Sequence, residues 1–217
     1  MTTRDIDNQV DYWNRVAQQK KFTIPFCFDR FEHYIEHRGR ILDFGCGYGR
    51  ICRELQNRGF SDIVGVDSSE RMIERAQDVC PNVYFAVLKD KSLPFADRSF
   101  DAVIMSAVLT CVPTDEGQRS IINEVYRVTR SKGLLFVGDY VLQSDERNRQ
   151  RYAQYHSVYD KFGVFELPEG AVMRHHEMSY VRSLLAGFTE IETVLIDVVT
   201  MNGHPAKAFQ YIGQKSQ

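Results

Sequence analysis

The chain has 217 residues, 27 Lys+Arg against 29 Asp+Glu for a formal net charge of −2, and 43% hydrophobic residues. That balance argues against a protein that coats nucleic-acid phosphates, which needs a basic surface, and the apolar share is too high for a disordered chain. No apolar run reaches the roughly 18 residues of a membrane span, and the charged start Met1-Thr-Thr-Arg-Asp lacks the apolar stretch of a secretion signal. A cytoplasmic protein without nucleic-acid or membrane partners is therefore expected.

The length fits one domain. In chain order, two amphipathic patterns predict helices near Ile6–Lys20 and Pro25–His37. Arg40–Phe44 reads as a buried strand, Gly49–Gly59 as a helix and Asp62–Asp67 as a second strand. Glu70–Val79 is a helix behind the cap-like pair Ser68-Ser69. Val83–Leu88 and Phe100–Ser106 read as further strands. A helix over Asp115–Thr129 leads through the turn Ser131-Lys132-Gly133 to a fifth strand, Leu134–Asp139. Strands without polar alternation, separated by single helices, imply a parallel sheet covered on both faces. Beyond Tyr140 a polar, aromatic-bearing helix is expected over Ser144–Phe162 and an irregular stretch over Gly163–His175. A helix at Glu177–Ala186 and two late strands, near Phe188–Thr200 and Ala206–Ile212, complete the reading. The five cysteines are dispersed without a Cys-x-x-Cys pair, and His33 and His37 find no further ligand at metal spacing, so no metal site is expected.

The most specific motif is Ile41-Leu42-Asp43-Phe44-Gly45-Cys46-Gly47-Tyr48-Gly49-Arg50. An acid at a strand end followed by alternate glycines lets the backbone turn sharply and approach a ligand. Twenty positions after Gly47, the second strand ends at Asp67, where an acid can take both ribose hydroxyls of an adenosine cofactor. Arg50 stands where the last glycine of a dinucleotide fingerprint belongs. The D-x-G-x-G-x-G pattern instead resembles the first motif of the class I S-adenosylmethionine (SAM)-dependent methyltransferases. Ile63–Ile73, Leu93–Val103 and Glu124–Gly133 resemble later family segments in the same order, so the likeness covers roughly residues 38–140.

The resemblance implies an α/β, Rossmann-like seven-stranded mixed sheet flanked by helices, with the last strand antiparallel. It divides the chain into a helical lid (1–37), a cofactor-binding core (38–140), an acceptor-side helical insertion (141–176) and a C-terminal helix with strands (177–217). Asp43 would orient the methionine amino group, Gly45, Cys46, Gly47 and Gly49 would cradle the methionine part, and Asp67 would hold the ribose. Ser68, Met72 and Leu88 would pack at the adenine, and the Ser106 carbonyl would receive the ammonium group. Many relatives carry an adenine-binding acid where this chain has Lys89; either Asp90 substitutes or the backbone alone reads the adenine. Tyr12 and Trp13 belong to the segment that resembles family lids.

For the acceptor, ligands in open α/β sheets lie beyond the carboxyl ends of the strands, which brings in Asp139 and Tyr140. Tyr152, with Tyr155 and Tyr159, makes one aromatic stripe on a helix with His156 beside it. Arg174-His175-His176 offers a histidine able to take a proton, and Asn202 sits in a late turn. Tyr140, His175 and His176 are thus the candidate catalytic residues, and Asp139, Tyr152, His156, Arg174 and Asn202 the candidate acceptor contacts. The expectation is transfer of the SAM methyl group to an O, N or S atom of a small molecule. Aminocarboxypropyl transfer or cyclisation releasing methylthioadenosine, a macromolecular acceptor, and SAM binding without turnover stay open, as does the choice between monomer and homodimer.

Overall fold

A computed structural model describes residues 5–90 and 92–216. The chain opens with two short helices, α1 (Val10–Val16) and α2 (Phe28–Tyr34). Strand and helix then alternate: β1 (Ile41–Phe44), α3 (Arg50–Asn57), β2 (Ile63–Asp67), α4 (Glu70–Val79), β3 (Tyr84–Val87) and β4 (Phe100–Ser106). After a 3-10 turn at Leu109–Cys111 come α5 (Asp115–Val128), β5 (Thr129–Tyr140) and α6 (Glu146–Tyr159). The short strands β6 (Val164–Glu166) and β7 (Val172–Arg174), helix α7 (Met178–Leu184), and the long strands β8 (Phe188–Val199) and β9 (Pro205–Lys215) follow.

Seven strands form one sheet in the order β3-β2-β1-β4-β5-β9-β8. The first five pair in parallel, and β9, last in sequence, enters antiparallel between β5 and β8. This is the expected Rossmann-like mixed sheet. The inner strands β1, β2 and β4 have no polar face because helices cover both sides, while the edge strand β8 is largely exposed. Leu42, Val64, Val103 and Leu135 pack toward Ile122 and Val125 of α5 and Val181 of α7. Their neighbours Ile41, Ile63, Ile104 and Phe136 pack toward α2, α3 and α4 through Phe31, Leu55 and Ile73. Each such fully buried side chain stabilises the fold by about 1.5–3 kcal/mol.

Local chemistry sets the element ends. The Ser69 hydroxyl accepts the Met72 N–H at the start of α4, and the Thr114 hydroxyl accepts the Gly117 N–H at the start of α5, each replacing a bond the helix cannot make for itself. The turn expected at Ser131–Gly133 is an excursion inside β5: pairing with β4 skips from Thr129 to Leu134, and Lys132 takes a left-handed φ of 63°.

Three expectations need correction. The stretch 163–175 is not irregular, since β6 and β7 form an antiparallel hairpin. The first helix begins only at Val10, because the residues before it are held by side-chain bonds: Asp7 accepts from the Thr114 N–H, and Gln9 bridges Cys111 and Val172. The second helix is shorter than 25–37 at both ends. No helix among the described residues is long and apolar enough to cross a membrane.

Candidate active site

The carboxyl ends of β1, β2, β4 and β5 surround one cavity of about 340 Å³. At its floor, Gly45 follows β1 with a left-handed φ of 71°, and the N–H groups of Gly45 and Cys46 both donate to the Val66 carbonyl. That turn folds the glycine loop back over β2. The Asp67 carboxylate then ties the loop down, accepting from the Gly47 N–H at 2.9 Å and the Ser69 N–H at 2.8 Å. Burial raises the Asp67 pKa against these stabilising bonds. Behind the loop, Asp43 is buried with the Cys52 thiol as a donor, and burial pushes its pKa up to about 6.

Ten of the residues singled out from the sequence line the cavity: Trp13, Gly45, Asp67, Ser68, Met72, Leu88, Lys89, Asp90, Ser106 and Tyr140. Asp43, Cys46, Gly47 and Gly49 do not; they lie in or behind the loop, and Gly47 is roofed by a side chain from the N-terminal segment. A Cβ on Gly47 would stand 2.0 Å from the Phe22 ring. Tyr12 is buried edge-on against Trp13 rather than facing the cavity.

The expected acceptor residues are placed differently. Only Tyr140 faces the cavity, with burial pushing its pKa up to about 12. Asp139 is fully buried on the other side of the strand, accepting from the N–H groups of Thr110 and Tyr140, and burial pushes it up to about 7. Tyr152 is also fully buried, its hydroxyl hydrogen-bonded with His175 Nδ1 at 2.6 Å while accepting from the Gln143 N–H. His176 lies against the Tyr140 carbonyl through Nδ1 and against Gln118 through Nε2. Both histidines are pushed to low pKa values, chiefly by burial, and stay neutral. Arg174 is spent on Asp115 and the Pro113 carbonyl. His156 is exposed on α6, and Asn202 accepts from Lys20 outside the cavity. Of this group, Tyr152 and His175 are drawn into the small core under the β6–β7 hairpin, with Tyr12 and Phe165, instead of toward the strand ends.

Several lining residues escaped the sequence reading. Phe22, Thr23 and Ile24 form an extended strap across the mouth. Phe22 stacks on Tyr48 at 5.0 Å, Tyr48 carries the Arg75 guanidinium at 3.9 Å, and Arg50 donates to the Ile24 carbonyl. On the opposite side, Lys20 bridges Glu169 of the hairpin turn and Asn202. Thr110, Met173 and Met201 also line the cavity. The apolar run Phe22-Thr23-Ile24-Pro25 was the available signal for the strap; the methionines gave none, since Met is common in any core.

Comparison with known proteins agrees with this geometry. Residues 41–133 match the family described as "Methyltransferase domain". The crystal structure of a SAM-dependent methyltransferase from Methanosarcina mazei superposes with a TM-score of 0.83 at 26% identity, over 88% of this chain and 99% of that one. The chain belongs to the class I SAM-dependent methyltransferases. An O-methyltransferase of Aspergillus nomiae is 29% identical over 173 residues, 74% of this chain and 73% of that protein. The human eEF1A lysine and N-terminal methyltransferase is 29% identical over 184 residues, 78% of this chain, and this chain spans only 25% of its length. The cofactor of this methyltransferase family is SAM, and the site fits it. An acid at a strand end, an apolar wall at Met72 and Leu88, and the bare backbone of Gly45 line one cavity.

Proposed function

We propose that the protein transfers the methyl group of SAM to a nucleophilic oxygen, nitrogen or sulfur atom of a small molecule. The observation that carries this reading is that the cavity reaches from Asp67 at the end of β2 to Tyr140 at the end of β5 beneath the Trp13–Ile24 segment. A roofed cavity with a predominantly apolar lining suits a compact acceptor better than a folded protein surface.

In this reading Asp67 accepts hydrogen bonds from the ribose, and Ser68, Met72 and Leu88 flank the adenine with Lys89 and Asp90 at its edge. Gly45 faces the methionine part, and Cys46, Gly47 and Gly49 shape the loop behind it. Asp43 supports that loop from behind, and the Ser106 carbonyl receives the ammonium group. When bound, the cofactor supplies a methyl group made electrophilic by the sulfonium. The protein's task is alignment, which is worth on the order of 7–11 kcal/mol of barrier. Tyr140, held protonated by its burial, orients the acceptor by donating a hydrogen bond. His175 and His176 take no part, since neither lines the cavity and each is bonded within the hairpin core or against α5.

The test is incubation with SAM and a panel of phenols, thiols and amines, followed by product analysis. S-adenosylhomocysteine (SAH) together with a methylated small molecule is expected. Methylthioadenosine in its place would replace methyl transfer by use of another SAM carbon, and methylation confined to added proteins would replace the small acceptor.

A further inference from the structure

Thr110 sits in the turn that leaves β4, and the surroundings of that turn are unusually well fixed. Ala107 adopts a left-handed φ of 58°, a conformation that costs a residue with a Cβ roughly 1–2 kcal/mol. Its N–H donates to the Gly138 carbonyl of β5, and its carbonyl accepts the Cys111 thiol. Gln118 of α5 donates to the carbonyls of Leu109 and Val112, Gln9 donates to that of Cys111, and the Thr110 N–H is fixed on Asp139 at 3.0 Å. One polar group in this turn is left over. The Thr110 hydroxyl, in a residue only 1% exposed, has no hydrogen-bond partner among the described residues, and Thr110 lines the cavity. A buried unpaired hydroxyl is costly, and its presence in a turn so closely determined asks for a ligand to complete it.

We infer that Thr110 is a positioning residue for the acceptor, its hydroxyl pairing with a polar atom of an otherwise apolar, ring-sized molecule. This rests on the acceptor side of the proposed methyltransferase site. The residue selects by penalty: a molecule of the same shape without the polar atom leaves the hydroxyl unpaired, and such sites discriminate more strongly than apolar pockets do.

The test uses two probes of equal shape, p-cresol and p-xylene, titrated by calorimetry into the SAH-bound protein. The wild type binds p-cresol about tenfold or more tightly than p-xylene. Thr110→Val abolishes that preference, Thr110→Ser retains it, and Thr110→Val binds SAH within about threefold of the wild type with an undiminished Tm, because it replaces an unpaired hydroxyl by a methyl group. A wild type that takes both probes equally or neither, a Thr110→Val protein that keeps the preference, or one that loses several degrees of Tm overturns the assignment. SAH binding is read separately in the same titrations. Its failure in the wild type overturns the methyltransferase site itself, and the probe pair is then compared without SAH.

Discussion

Asp67 already holds the Gly47 and Ser69 N–H groups, so its two oxygens point where the backbone fixes them before any ligand arrives. Asp67→Ala is expected to lower SAH affinity by about 1.5–3 kcal/mol, through loss of a charge-assisted acceptor and of the tie on the loop. Calorimetry giving an unchanged affinity would remove Asp67 from the ribose. Asp67 was legible because its position follows from counting along two strands and a helix. The histidines were not. Their chemistry suggested a base, but which way His175 and His176 face is decided by Tyr152 and Gln118, partners that local spacing cannot name. Thr110 was equally invisible, since its distinguishing property is a partner it lacks.

Among the elements, the glycine loop is the one whose sequence pattern and geometry coincide most closely. Gly47 has a left-handed φ of 52°, and its free face is covered by the Phe22 ring. Gly47→Ala therefore meets both backbone strain and a ring that must move. More than a tenfold loss of SAH affinity is expected, with a shift in the emission of Trp13, which packs edge-on against Phe22 and is the only tryptophan in the chain. A variant with both properties unchanged would reduce the loop to a simple turn. The inner strands of the sheet were readable because burial on both faces leaves a nearly unbroken apolar run. The β6–β7 hairpin was not, since three-residue strands are too short to show a period. The short α1 has a similar cause: long-range bonds from Asp7 and Gln9 override a helical pattern that continues through them.

Across the whole molecule, buried titratable groups of opposite kinds offset one another. Asp43 and Asp139 have folded pKa values near 6 and 7, chiefly through burial, so they hold protons that the unfolded chain releases. On their account stability falls as pH rises from about 4 to 7. His175 and His176 are depressed below the ordinary value, His176 to about 3, again chiefly through burial, so the unfolded chain binds protons that the fold rejects. On their account stability falls as pH drops below about 6.5. Between roughly pH 5 and 6 the two slopes oppose, and the wild type is expected to show little pH dependence in urea unfolding. Asp139→Asn removes one falling contribution and should turn the curve upward with pH, by up to about 1.4 kcal/mol per unit. An unaltered slope in that variant would mean that Asp139 is ionised in the fold throughout.

The strap holds one more consequence. Phe22 lies on Gly47, Thr23 lines the cavity with Tyr140, and the Ile24 carbonyl takes Arg50, so three consecutive residues touch both halves of the cavity. Whatever displaces the ring from the loop pulls on the next residue of the cavity wall as well. Two binding events joined by so short a tether share a coupling free energy. Linkage then requires that the factor by which an acceptor alters SAM affinity equal the factor by which SAM alters acceptor affinity.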